Sequence, residues 1–212
     1  MFIATQMKKI LIIGLVASTI LLSACSKQAD TTLSIDPANM TPCIQAVQDY
    51  LDKADMQWQG TAVKATDAIV VDYIGRLEDG TVFDTSVKDV AVACGKYASG
   101  RNYDEGLGFT VGAGQMIAGF DKGVVDMKLG QTKSITIPAA EAYGERSEKN
   151  IYPIQKKDFP QSEGLAVGAK VQTSYGQVLT VNKIEWDTIY LDGNHELAGK
   201  DLIFDITIKK IN

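Results

Sequence analysis

The chain holds a single histidine, His195, in 212 residues. That scarcity excludes a zinc site built from several imidazoles and leaves a Ser-His-Asp arrangement only one candidate base. Basic residues are outnumbered, 21 Lys and Arg against 26 Asp and Glu. The basic footprint of a nucleic-acid binder is therefore missing, and nucleic acid is not an expected partner. Phosphate and nucleophile motifs are missing too. Gly112-Ala113-Gly114 opens like a dinucleotide loop, but Ile117 stands where the third glycine should be. Residues 164–170 resemble a P-loop only loosely, because the spacing is wrong and no Ser or Thr follows Lys170. There is no G-x-S-x-G elbow. No standard nucleophile, metal or phosphate site remains, and no cofactor or metal is expected.

What the chain does have is the composition of a globular protein, 45% hydrophobic and 22% charged. Lys8 and Lys9 precede an uncharged run over 10–22, shorter than the ~20 residues that span a bilayer as a helix but suited to a secretion signal. The run ends in Leu22-Ser23-Ala24-Cys25, which resembles the lipobox of bacterial lipoproteins. The resemblance implies a signal peptide over 1–24, lipidation of Cys25, a polar tether over 25–40 and attachment to the cell envelope on the extracytoplasmic side. Ser26 after the cysteine leans towards an outer membrane where two membranes exist. The alternative is an ordinary signal peptide with a chance cysteine. The acidic body would not be drawn to anionic lipid, so attachment would rest on two or more acyl chains. Cys43 and Cys94 remain. They lack C-x-x-C spacing and are either a structural bridge or two free thiols.

Thr41-Pro42 resembles an N-cap followed by proline at the first helical position. Ile44, Val47, Leu51 and Ala54 follow at helical spacing, so a short packing helix is expected over 42–54 within an N-terminal extension, 41–67. From Ala68 the period changes. Ile69, Val71 and Tyr73 belong to a strand, and Asp79-Gly80 marks a hairpin. A short helix is expected over 87–94, stopped by Gly95. A strand is expected over 109–111, then a helical face of Phe120, Val124 and Met127 closed by Gly130, then a strand over 132–137. From 148 to 195 glycines punctuate short β-like runs at 177–181 and 184–191, with Asp187-Thr188 as a turn. The last strand, 202–211, sets Leu202, Phe204, Ile206 and Ile208 on one side. These readings describe a mostly antiparallel sheet with short helices, interrupted late by a small β module.

Three blocks carry a family resemblance: VDYIGRLEDGTVFDTS (71–86), FTVGAGQMIAGFDKGVVDMKLGQTKSITIP (109–138) followed by EAYGER (141–146), and GNHELAGKDLIFDITI (193–208). Together they resemble the FKBP family of peptidyl-prolyl isomerases over 68–212, and the G-N-H-x-L-A-G segment is typical of its SlyD-like branch. The resemblance implies an α+β fold: an FKBP-like antiparallel half-barrel sheet wrapped on a short helix (68–147 and 196–212), with a small inserted all-β insert-in-flap domain over 148–195. It implies that Tyr73, Phe83, Phe120 and Phe204 enclose a prolyl ring, with Leu107 and Met116 beside them. The Ile117 N–H and the Tyr143 hydroxyl would hold substrate carbonyls. Asp84 would either orient Tyr73 or meet the twisting carbonyl. Phe120 stands where many relatives have tryptophan and Leu107 where an aromatic wall is common, so the pocket is expected to be altered but active. No histidine-rich tail follows Ile208, so nickel delivery is not implied.

This activity needs no nucleophile. An X-Pro bond crosses a barrier of about 18–20 kcal/mol because amide resonance must be broken. The twisted amide is less polar than the planar one, so a dry aromatic cleft stabilises it selectively. Taken singly, aromatics on strands are more often core filling than site. Asp84 beside Phe83 and the tyrosine of Ala142-Tyr143-Gly144 shift that balance, since polar groups within an apolar cluster need a reason. His195 reads as a structural hydrogen-bonder. The inserted module is too short to bury all of Ile151, Ile154, Phe159, Leu165, Val167, Val171, Tyr175 and Trp186. Those left exposed, Ile151, Ile154, Phe159 and Tyr175 among them, are expected to hold unfolded polypeptide. Expected partners are unfolded or proline-containing polypeptides, macrolide inhibitors and a membrane through the lipid anchor, with the protein a monomer. The rival expectation is a lipid-anchored holdase without catalysis.

Overall fold

The computed structural model describes residues 41–54, 60–159 and 164–212. The leader, Cys25 and the tether lie outside the described residues. The first half of the chain forms α1 (Pro42–Ala54), β1 (Ala68–Arg76), β2 (Val82–Thr85), α2 (Lys88–Ala93), β3 (Leu107–Thr110), α3 (Ala118–Gly123) and β4 (Thr132–Ile137). Then follow β5 (Ile151–Gln155), β6 (Lys170–Gln172), β7 (Val178–Glu185), β8 (Thr188–Asp192) and β9 (Leu202–Ile211).

Five strands make one antiparallel sheet in the order β2-β1-β9-β4, with β3 sharing the β1 edge that β2 also uses. Strand periodicity sends Ile69, Val71 and Tyr73 to one face, where they meet Phe120, Val124 and Met127 in the main core. The expected helix around Phe120 is shorter than its apolar pattern. It stops at Gly123, and Val124 and Met127 reach the core from the turn beyond it. Two glycines explain the fit against β4. A Cβ at Gly119 would come within 2.3 Å of Ile137, and one at Gly123 within 2.3 Å of Ile135. Glycine weakens the helix but lets its backbone lie directly on β4.

The opposite face is covered as well. Val47 of α1 and Val90 of α2 pack over Ile74 and Val82, and the Tyr50 hydroxyl donates to Thr207 Oγ1 at 2.7 Å. This second cover is why β9 departs from simple alternation. Leu202, Phe204, Ile206 and Ile208 join the main core as expected, yet Ile203 and Asp205 on the other side are also buried. Asp205 is held there by Arg76, whose Nε donates to Oδ2 at 2.9 Å, and by the Ser134 hydroxyl. Cys43 and Cys94 are bridged, joining α1 to the C-terminal end of α2. Gly95 follows in the left-handed region, φ 66°, as the expected stop.

Between β4 and β9 the chain builds a second antiparallel sheet, β5-β8-β7-β6. Its small core is Val171, Leu179, Val181, Ile189 and Leu191, with Ile154, Phe159, Leu165 and Ile184 packed against it. The β7–β8 turn is Trp186-Asp187, one residue earlier than expected. Thr188 pairs with Glu185 and with Gln155 instead; its branched side chain suits a strand, while Trp186 takes the positive φ of 47° that a two-residue turn demands. The outgoing and returning segments are clasped at the neck. Arg146 meets Asp192 at 2.6 Å, Asn194 Oδ1 accepts from the Ser147 N–H at 2.9 Å, and the Gly193 N–H donates to the Asn150 carbonyl at 2.8 Å.

Candidate functional site

The concave face of the five-stranded sheet opens into a cleft of about 440 Å³, within the range of small-ligand sites. Each wall follows from local structure. β1 contributes Tyr73 and β9 contributes Phe204, both on the core face. β2 contributes two consecutive residues, Phe83 and Asp84, which a regular strand would send to opposite faces. The register with β1 slips here: Gly75 faces Asp84, Arg76 faces Val82, and Phe83 is left over as a bulge. The bulge aims both side chains at the cleft. Gly75 makes room, since a Cβ there would lie 2.6 Å from the Phe83 ring. Leu107 begins β3, Met116 and Ile117 precede α3, and Phe120 rises from α3.

Phe120 is the floor. It meets Phe204 edge-on at 5.1 Å between centroids, Phe109 at 5.7 Å and Tyr73 at 6.1 Å. Phe83 meets Phe204 edge-on at 5.5 Å. Edge-to-face contacts of this kind lock ring orientation. Ile117 caps α3 with extended backbone, φ −60° and ψ 146°, and among the described residues its N–H has no acceptor.

Asp84 is fully engaged. One carboxylate oxygen accepts from the Tyr73 hydroxyl, and the other accepts from the Thr85 N–H at 2.9 Å and from Arg101 at 2.5 Å. Arg101 also donates to the Tyr73 hydroxyl. The Tyr73 contact is the one an orienting role for Asp84 would use, and Arg101 offsets the carboxylate charge. Burial, reinforced by the Asp84 carboxylate, pushes the Tyr73 hydroxyl well above the ordinary tyrosine range, so it stays protonated and donating.

All the residues expected around a prolyl ring, together with Asp84, Ile117 and Tyr143, line this one cleft. Ile151, Ile154, Phe159 and Tyr175 do not; they belong to the second sheet or its connections. Ile154 and Phe159 are half-buried against its core, Ile151 is half-buried, and Tyr175 is 95% exposed. Of the other module hydrophobes, Val171 is core, Leu165 packs on it, Val167 is exposed and Trp186 is 94% exposed.

The cleft also contains groups outside the expected set: Gln115, His195, Glu196 and Leu197, with Arg101 behind Asp84. His195 does accept a hydrogen bond, from the Leu197 N–H at 3.1 Å, as expected of a structural residue. Its ring also stacks flat on Tyr143, 3.8 Å between centroids. The available signal was topological: Tyr143 leads out to the second sheet and His195 leads back, so the two ends of an insertion must meet. Arg101 had no such signal. Among the described residues no group of three His, Cys, Asp or Glu side chains gathers as a metal set.

Comparison with known proteins gives concordant matches. A family model described as FKBP-type peptidyl-prolyl cis-trans isomerase matches residues 59–209. The chain is 40% identical over 154 residues to the short-type peptidyl-prolyl cis-trans isomerase of Methanocaldococcus jannaschii, spanning 70% of this chain and 94% of that one. It is 32% identical over 108 residues to the FKBP-type isomerase SlyD of Treponema pallidum, 50% of this chain and 61% of the relative. FK506-binding protein 2 of Debaryomyces hansenii is 41% identical over 94 residues, 44% and 57% of the two chains.

Proposed function

The chain belongs to the FKBP-type peptidyl-prolyl cis-trans isomerases, and from that membership we propose a lipid-anchored envelope isomerase that turns over X-Pro bonds in unfolded or newly exported polypeptides. The observation that carries the site assignment is the open cleft itself. Four rings, Tyr73, Phe83, Phe120 and Phe204, line it with Leu107, Met116 and Ile117, and Asp84, Gln115, His195 and Glu196 add polar groups. A prolyl ring seated on Phe120 between Tyr73, Phe83 and Phe204 leaves its preceding carbonyl among apolar groups. There the twisted amide, with its reduced dipole, loses less solvation than the planar one, and the difference lowers the barrier. The Ile117 N–H and the Tyr143 hydroxyl donate to flanking carbonyls and fix the strand. Asp84 and Arg101 hold Tyr73 in place. Each factor of ten in rate requires about 1.36 kcal/mol of such selectivity.

The second sheet is the insert-in-flap module in this proposal, a holding surface for unfolded chain beside the cleft. Its support is the outward placement of Tyr175 and Trp186, large apolar groups whose exposure does nothing for the module's core. The relative named for FK506 binding extends the proposal to macrolide inhibitors. Lipidation at Cys25 rests on the lipobox resemblance, and the protein is proposed to act as a monomer.

A proline-peptide exchange assay on the wild type, Tyr73→Ala and Asp84→Ala tests the catalytic proposal. Wild-type acceleration with losses in both variants supports it; background rates in all three favour a holdase. Suppression of aggregation of a reduced substrate tests the module. Membrane release by Cys25→Ser tests the anchor, and a protein that stays bound after that change refutes it.

A further inference from the structure

The segment between α2 and β3 carries two tyrosines. Tyr97 and Tyr103 stack at 5.4 Å between centroids with planes 14° apart. Neither belongs to the apolar clusters on either side of the main sheet or in the second sheet, and Tyr97 is 50% exposed. Their position is nevertheless set firmly. The Tyr103 hydroxyl accepts from the Ala98 N–H at 2.9 Å, and the Cys43–Cys94 bridge pins the base of the segment three residues before Tyr97. The pair is also continuous with the cleft. The Arg101 guanidinium lies 5.8 Å from the Tyr103 centroid and 5.7 Å from that of Tyr73, while it ion-pairs with Asp84. An unbroken run of ring, cation, ring and ring thus leads from the proline site to the protein surface.

We propose that Tyr97 and Tyr103 form an outlying subsite of the cleft, which packs an aromatic side chain of the same substrate strand. This rests on the isomerase assignment and adds a sequence preference to it. The two centroid distances through Arg101 and the further step to Tyr97 set an upper limit of about 17 Å on the reach from Tyr73 to the exposed ring. At about 3.3–3.6 Å per extended residue, that limit is about five residues. The favoured substrate therefore carries its aromatic residue within about five positions of the proline. An aromatic contact beyond simple burial corresponds to roughly three- to tenfold in affinity.

The test uses the full chain and peptides with one Ala-Pro core, bearing Phe or Ala at each position from about two to about five residues from the proline on either side. Both kcat/KM and Kd, from NMR titration, are measured for wild type, Tyr97→Ala and Tyr97→Phe. The expected result is a three- to tenfold preference for Phe at one of these positions, abolished by Tyr97→Ala and kept by Tyr97→Phe. The proposal is overturned by a wild type indifferent to the flanking residue, or by a preference that survives Tyr97→Ala. It is equally overturned if Tyr97→Ala weakens Phe and Ala peptides alike, which would make Tyr97 a prop for Arg101. Binding ratios report on the subsite even if no peptide is turned over; absent turnover would count against the isomerase assignment instead.

Discussion

Gly75→Ala separates a catalytic cleft from ordinary core packing. Gly75 is absent from the positive-φ residues, so alanine meets no backbone penalty and restricts the unfolded chain, a gain of about 0.4–1 kcal/mol. Against that, the new methyl would sit 2.6 and 2.7 Å from two atoms of the Phe83 ring and 3.0 Å from Phe204. Ordinary contact begins near 3.4 Å, so the Phe83 ring must retreat by most of an ångström. Overpacking costs about 1–3 kcal/mol. Phe83 is only half-buried and borders open space, which favours the lower end, and the net loss of stability should stay within about 2 kcal/mol. The direction of retreat is into the cleft, where a displacement of about 1 Å in a positioning group can cost up to 100-fold. The expected outcome is a tenfold to 100-fold fall in kcat/KM for a proline peptide, with melting temperature lowered by only a few degrees. A folded variant with kcat/KM within twofold of wild type would show that Phe83 and Phe204 do not enclose the substrate.

Three further outcomes follow from the packing. Replacing Cys43 and Cys94 by serine removes a bridge across 51 residues, which loop-closure entropy values at about 4 kcal/mol; chemical denaturation should show a loss approaching that figure, and a change below 1 kcal/mol would argue against a bridge in the native protein. Arg76→Met strands the buried Asp205 and should cost about 3–5 kcal/mol, whereas an indifferent melting curve would mean that the pair is solvated. Partial burial works to raise the Asp192 carboxyl, yet the Asn194 backbone N–H and the Arg146 guanidinium outweigh it and hold the group below the usual carboxylate range. Its folded value being the lower, its contribution is full above the unfolded value near 3.9 and is lost as pH falls through the folded one. Amide-exchange protection around 146–150 and 192–195, taken relative to the intrinsic rate at each pH, should therefore fall below about pH 4, and Asp192→Asn should remove that dependence; identical pH profiles of protection in the two proteins would refute it.

The strands of the main sheet were legible because their apolar periods match the faces they bury, and α1 because its cap and spacing agree. Local pattern says nothing about how many covers a sheet has. The second cover by α1 and α2 is why β9 buries Ile203 and Asp205 where one-sided alternation was expected. The apolar face of Phe120, Val124 and Met127 was correct, but the extent of α3 was not, since the helix stops at Gly123 and Asp126 takes a left-handed φ of 66°. In the site, aromatic residues within recognisable blocks could be gathered from sequence. Arg101 could not, because its role arises only when the segment before β3 folds back over Asp84. His195 was placed as a hydrogen-bonder, and its stacking on Tyr143 emerges only when the two ends of the insertion meet.

Rotation of the prolyl bond is assigned here to an aromatic cleft that uses no nucleophile. NMR exchange spectroscopy on a short Ala-Pro peptide with the full chain tests it most directly, reading the cis-trans rate and the ring resonances of Tyr73, Phe120 and Phe204 in one sample. Exchange far faster than the uncatalysed tens to hundreds of seconds is expected, together with shifts of those rings on peptide addition. Exchange at the uncatalysed rate with the rings unperturbed, or fast exchange with the rings unperturbed, would contradict it.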